Sequence, residues 1–223
     1  MDLPEVAAPA IAIAGSSEMF PVRRIFCVGR NYAEHAREMG SDPEREPPFF
    51  FTKPGDAVTP GGLLPYPSMT KDLHHEVELV VALGKGGGDI DPADANALIF
   101  GHAVGIDLTR RDLQAEAKKG GRPWDMAKGF DQSAPMGPLK AGAPPADAAI
   151  ALTIDGALRQ SGRIADMIWS VPEVIAILST YVRLAPGDLI FTGTPAGVGP
   201  ILPGETVVGM IDEVEPVEIR YGA

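Results

Sequence analysis

The segment His74-His75-Glu76-Val77-Glu78-Leu79-Val80-Val81-Ala82-Leu83 sets two carboxylates, two residues apart, at the head of an apolar, β-branched run. Alternation along a strand puts Val77, Leu79, Val81 and Leu83 on one face, and Glu76, Glu78, Val80 and Ala82 on the other. A run apolar on both faces reads as a strand buried on both faces. Two like charges on one side of such a strand repel each other and lose their hydration unless a cation lies between them. A cation between Glu76 and Glu78 is therefore the first arrangement to expect.

Asp107 offers a third oxygen ligand. It closes the apolar run Ala103-Val104-Gly105-Ile106 and stands just before Thr109, a candidate helix cap. With Glu76 and Glu78 it forms a three-carboxylate set suited to a hard cation such as Mg²⁺, with water and substrate completing an octahedron. The plain alternative is a solvated edge strand with Asp107 assisting the cap. His74 shares the carboxylates' face and His75 points away, but His35 and His102 complete the histidines, and no ligand-spaced His or Cys cluster favours zinc.

The 223 residues, 45% of them apolar, suffice for one substantial core. A balance of 19 basic against 30 acidic residues gives a formal net charge of -11, which argues against binding nucleic acid or an anionic membrane. Cys27 is the single cysteine, so no intrachain disulfide forms and a reducing compartment is natural. No stretch approaches the roughly 18 apolar residues that span a bilayer. Residues 1–14 lack the basic start of a secretory signal, so the cytoplasm is the expected location.

Glycine and proline, 26 and 22 of them, punctuate short apolar runs. Strands are expected over 10–14, 24–29, 49–52, 77–83, 100–108, 149–154, 188–192, 206–211 and 214–221. Helices are expected over 31–39, from Thr109-Arg110-Arg111-Asp112 to a stop at Gly120-Gly121, from Ser170-Val171-Pro172-Glu173 to about Tyr181, and briefly over 92–96. The fold class is α+β, mainly β, with residues 1–19 as an N-terminal extension or strand and 20–223 as the main domain.

Three further groups have chemical potential. His35 and Glu38 lie three apart in the expected first helix, where a carboxylate can hold an imidazole as a general base for water; a surface contact is the plainer reading. Lys53 and Lys128 stand in apolar and aromatic company and suit either a substrate carboxylate or a snorkelling structural role. The loop Thr192-Gly193-Thr194-Pro195 lacks a dinucleotide fingerprint, but its N–H groups and Thr194 can face a carboxylate.

With these residues assembled, the chain resembles the fumarylacetoacetate hydrolase family, in particular its smaller, acylpyruvate-hydrolysing members. The resemblance runs from about Phe20 to Tyr221. It is carried by Gly29-Arg30-Asn31-Tyr32, Phe51-Thr52-Lys53-Pro54, His74-His75-Glu76-Val77-Glu78, Gly105-Ile106-Asp107, Trp124 to Phe130, and Thr192-Gly193-Thr194-Pro195. The runs Thr109 to Gln114 and Gly121 to Asp131 look most like the fumarylpyruvate-hydrolysing branch, which serves gentisate breakdown.

The resemblance implies a mixed β-roll, a homodimer, and Mg²⁺, with Mn²⁺ or Ca²⁺ as alternatives, held by Glu76, Glu78 and Asp107. It implies a water-activating dyad of His35 and Glu38, with Lys128 protonating the departing group. Arg30, Tyr32, Lys53, Arg111, Gln114 and Thr194 form the implied substrate-binding set. In the implied reaction, water attacks C4 of a 2,4-dioxo acid, and the cation makes pyruvate enolate a tolerable leaving group. Fumarylpyruvate would yield fumarate and pyruvate. Oxaloacetate decarboxylation and isomerisation of a dioxo or hydroxydienoate acid are the alternatives on the same metal site, and a non-catalytic dicarboxylate-binding protein is the alternative of another class.

Overall fold

The computed structural model describes residues 3–4, 7–34 and 46–222. Its centre is a six-stranded mixed sheet, ordered Lys140–Ala141, Ile99–Ile106, Val77–Leu83, Asp188–Phe191, Arg24–Val28 and Phe50–Lys53. Asp188–Phe191 runs parallel to Arg24–Val28; the other neighbours are antiparallel. A five-stranded sheet, ordered Ala157–Arg163, Ala149–Ile154, Thr206–Ile211, Val217–Tyr221 and Gly62–Leu64, covers one side. The architecture is the mainly β roll with few helices that the sequence implies.

Alternation along Val77–Leu83 divides the interior in two. Val77, Leu79, Val81 and Leu83 enter a core shared with Ile150, Leu152, Val207 and Ile219 of the second sheet and with Val174, Ile175 and Leu178 of the helix Val171–Tyr181. Val80 and Ala82 enter a second core with Ile11, Phe20, Cys27, Met136, Leu139 and Phe191. The two-sided burial expected of this strand is thus explained by two separate apolar layers.

Ala10–Ala12 pairs with Met19–Pro21, and Ile11 and Phe20 are both buried. The expected boundary between residues 19 and 20 falls inside this ribbon. The first helix begins at Ala33 and Glu34; the rest of its expected span, with His35 and Glu38, lies outside the described residues. The helix Val171–Tyr181 opens as expected, with Ser170 N–H donating to Glu173 Oε2 at 3.0 Å.

The expected Thr109–Asp112 cap does not form. Thr109 instead pairs with His74 in a short ladder, and the helix starts at Arg111. Asp112 accepts from Thr70 Oγ1 at 2.7 Å and Lys71 N–H at 2.9 Å, because the neighbouring loop offers it donors that Thr109 does not. The stop is as expected, with Gly121 left-handed at φ 61°.

Four adjacent strands end on one edge. Asp107 follows Ile99–Ile106, Glu76 precedes Val77–Leu83, Thr192–Thr194 follows Asp188–Phe191, and Gly29–Asn31 follows Arg24–Val28. Asn31 joins these ends. It is fully buried, and its side-chain amide donates to Thr192 O at 2.8 Å and Trp169 O at 2.9 Å and accepts from Trp169 N–H at 2.7 Å. Asn31→Ala removes three side-chain hydrogen bonds, one of them fully buried, and chemical denaturation should show a loss of roughly 2–4 kcal/mol.

Candidate metal centre and active site

Register brings the three carboxylates together. Val77 pairs with Ile106 and Glu78 with Gly105, and one step further Asp107 N–H donates to Glu76 O at 2.8 Å. One ligand atom from each of Glu76, Glu78 and Asp107 lies within 4.8 Å of the others, and all three residues are buried. Among the described residues this is the cluster with metal-ligand character.

Three basic side chains answer these charges. Lys128 Nζ donates to Glu76 Oε2 at 2.8 Å and to Asp107 Oδ2 at 2.7 Å. Lys53 Nζ meets Asp107 Oδ1 at 2.8 Å. Arg111 Nη2 meets Glu76 Oε1 at 2.5 Å, while its Nη1 donates to Gln114 Oε1 at 2.7 Å. Burial alone would lower the Lys128 pKa, but Asp107 and Glu76 outweigh it and raise it well above the usual lysine value.

Glu78 is placed differently. Its Oε2 accepts from Gly193 N–H at 2.7 Å. Burial, with Asp107 and Glu76 nearby, pushes its pKa well above the ordinary carboxyl value, although the Gly193 N–H and Lys128 oppose this. Gly193 has φ 97°, and a Cβ there would lie 2.7 Å from that of Asn31, so both its backbone and its surroundings call for glycine.

The structure places the other expected residues as follows. Gln114 and Arg111 line a cavity of about 270 Å³ together with Arg30, Glu76 and Lys128. Lys53, of the expected substrate-binding set, takes the structural alternative in this structure. Its ammonium is enclosed by Asp107, Leu108 O and Lys128 O, so it supports the cluster from behind and does not line this cavity.

Tyr32 is 3% exposed, and its hydroxyl has no hydrogen-bond partner among the described residues. Thr194 is also buried, its Oγ accepting from Gln160 Nε2 at 2.8 Å. His74 accepts from Arg111 Nε at 3.3 Å through Nδ1 and donates to Asp72 through Nε2 at 2.9 Å, which keeps it at the edge of the cluster.

Gln160 is a positioning residue that the sequence analysis missed. Its Oε1 accepts from Val77 N–H at 3.0 Å and from His75 Nδ1 at 2.8 Å, and its Nε2 donates to Thr194 Oγ and to Pro195 O at 2.9 Å. It sits on the strand Ala157–Arg163, which has no apolar side chain after Leu158. Asp155-Gly156, left-handed at φ 48° and 78°, is the hairpin signal that would have revealed that strand.

Three buried carboxylates converging on one point form a hard, all-oxygen donor set, which fits Mg²⁺ or Mn²⁺. Fold and site therefore define a protein with a carboxylate centre for a divalent cation at one edge of a β-roll. The fumarylacetoacetate (FAA) hydrolase C-terminal family matches residues 24–220, and the chain belongs to that family.

The fumarylpyruvate hydrolase of Pseudomonas aeruginosa, solved in complex with Mn²⁺ and pyruvate, superposes with a TM-score of 0.96 at 51% identity, covering 100% of this chain and 99% of that one. The fumarylpyruvate hydrolase of a Ralstonia species is 41% identical over 81% of this chain and 96% of its own. The mitochondrial oxaloacetate tautomerase of Mus musculus is 43% identical over 89% of this chain and 90% of its own.

Because the Glu78 proton competes with a cation, Mn²⁺ affinity should rise with pH, and calorimetry in buffers of different ionisation enthalpy should detect proton release on binding. Glu78→Gln should weaken Mn²⁺ by more than about tenfold and abolish that release.

Proposed function

We propose that the protein hydrolyses the C3–C4 bond of an acylpyruvate, with fumarylpyruvate as substrate and fumarate and pyruvate as products. The observation that carries this reading is the charge balance of the buried cluster. Glu76, Glu78 and Asp107 are matched by Lys53, Lys128 and Arg111, so adding a divalent cation leaves a surplus of two positive charges. A ligand head that carries two negative charges, the carboxylate and the enolate oxygen of a pyruvate enolate, restores neutrality in a buried site. The Mn²⁺ and pyruvate bound by the Pseudomonas relative support the same chemistry.

In this reading Glu76, Glu78 and Asp107 hold Mg²⁺ or Mn²⁺, which supplies positive charge for the oxygen that becomes negative as the bond breaks. Arg111, fixed between Glu76 and Gln114, orients the substrate carboxylate. His35, with Glu38 as its assigned carboxylate partner, would take the proton from the water that attacks C4. Lys128 keeps its proton at neutral pH and lines the cavity, so it, directly or through water, returns a proton to C3 of the departing pyruvate. Arg30, Tyr32 and Thr194 complete the substrate surroundings. The enzyme acts as a homodimer in the cytoplasm, in aromatic catabolism by the gentisate route.

A second reading is favoured by the 43% identity to an oxaloacetate tautomerase. Proton transfer on oxaloacetate, or its decarboxylation, uses the same carboxylate centre without a hydrolytic water. The two are separated by assaying fumarylpyruvate, acetylpyruvate and oxaloacetate with wild type and His35→Ala. The variant should lose about 10²–10⁴-fold in hydrolysis and retain oxaloacetate turnover. Equal loss on all substrates, with Mn²⁺ binding intact, would count against the assigned role of His35.

A further inference from the structure

Beyond the metal end, the cavity wall is a set of aromatic rings in contact. The centroids of Phe49 and Trp124 are 5.4 Å apart in an edge-to-face arrangement, and those of Phe51 and Trp124 are 5.8 Å apart. A Cβ on Gly29 would lie 1.9 Å from the Phe49 ring, so glycine is what lets that ring lie against the backbone.

Each ring carries a cation. Lys128 Nζ stands 4.9 Å from the centroid of Phe51, Arg30 Cζ 5.6 Å from that of Phe49, and Lys118 Nζ 5.0 Å from that of Trp124. Cations over aromatic faces gain modestly in energy and remain able to bind an anion on their open side.

The cations on this wall differ in what they already hold. Lys128 and Arg111 are committed to Glu76 and its neighbours. Lys118 lines the same cavity, and its ammonium makes no hydrogen bond or ion pair with a described residue. Partial desolvation and then the like charges of Arg111, Lys128 and Arg30 lower its proton affinity, against the attraction of Glu76. Like charges gathered around a concave wall are relieved by an anion bound among them.

We propose that Lys118, carried on Trp124 and backed by Arg30 on Phe49, is the specificity-determining cation for a second carboxylate, at the end of the ligand away from the metal centre. This rests on the reading that the carboxylate centre binds a 2-oxo acid, and it narrows the ligand class to dicarboxylic ones. The planar, unsaturated chain of a fumaryl group would then lie along the rings, between a cation at each end.

The test uses Mn²⁺-loaded protein and two ligands that cannot be hydrolysed, 2-oxoheptanedioate and 2-oxoheptanoate, which differ only in the distal carboxylate. By calorimetry the wild type should prefer the diacid by about 10–100-fold, the yield of one charge-assisted contact. Lys118→Met should erase that preference while leaving 2-oxoheptanoate affinity within twofold, and Lys118→Arg should retain most of it.

No preference in the wild type, or a preference that survives Lys118→Met, would overturn the proposal, as would equal weakening of both ligands in the variant. Hydrolysis is read separately. If wild type cleaves neither fumarylpyruvate nor acetylpyruvate, the proposed reaction falls while the diacid preference still decides the role of Lys118. If it cleaves both, Lys118→Met should raise KM for fumarylpyruvate alone, with kcat nearly unchanged.

Discussion

The Lys128 ammonium, bound between Glu76 and Asp107, is the contact on which the rest of the site depends. An uncompensated carboxylate in an interior of low dielectric costs several kcal/mol, and here three are gathered at the meeting point of two sheet strands. Compensation comes from three separate parts of the chain. Lys128 arrives on the short helix Asp125–Lys128, Arg111 opens the helix Arg111–Gly120, and Lys53 ends the strand Phe50–Lys53. Each must be placed to within a hydrogen-bond length. The loops between these elements are therefore fixed by electrostatics as much as by packing.

That compensation is uneven, and the unevenness has chemical meaning. Glu76 and Asp107 each hold two basic side chains, whereas Glu78 accepts a backbone N–H. Glu78 is thus the carboxylate most disposed to keep a proton until a cation displaces it. The loop that supplies its N–H is held from both sides by amides of fixed polarity. Asn31 donates to Thr192 O, while Gln160 accepts from the Val77 N–H and so must present its NH₂ to Pro195 O and to Thr194 Oγ. A hydroxyl that accepts from Gln160 has its own proton left to give. The sheet thereby sets Thr194 as a donor before any ligand arrives.

Much of this was legible in the sequence because it rests on short-range rules. Strand alternation placed Glu76 and Glu78 on one face, and the end of an apolar run placed Asp107. The Ser170–Glu173 box opened its helix as read. What the sequence could not show depends on neighbours distant along the chain. Lys53 looked like a substrate ligand because its local company is aromatic; only the fold shows Asp107 and two carbonyls closing around it. Thr109 had the spacing of a cap, but a ladder with His74 took it. Gln160 was invisible because its strand carries no apolar period, and nothing in the local sequence of Lys118 shows that Trp124, six residues on, folds beneath it.

The two ends of the cavity answer different questions. At the inner end the charge is set by three carboxylates, their basic partners and the divalent cation, so what it accepts is a 2-oxo acid head. At the outer end Lys118 is tied to no carboxylate of a described residue, and the charge of the ligand's tail decides whether it is satisfied. A fold built this way can keep one chemistry for the head group and alter its choice of tail by changing a lysine or a tryptophan on a helix and its adjoining turn. Neither side chain makes a hydrogen bond or ion pair with the buried carboxylates, so such changes leave the direct partners of those carboxylates in place.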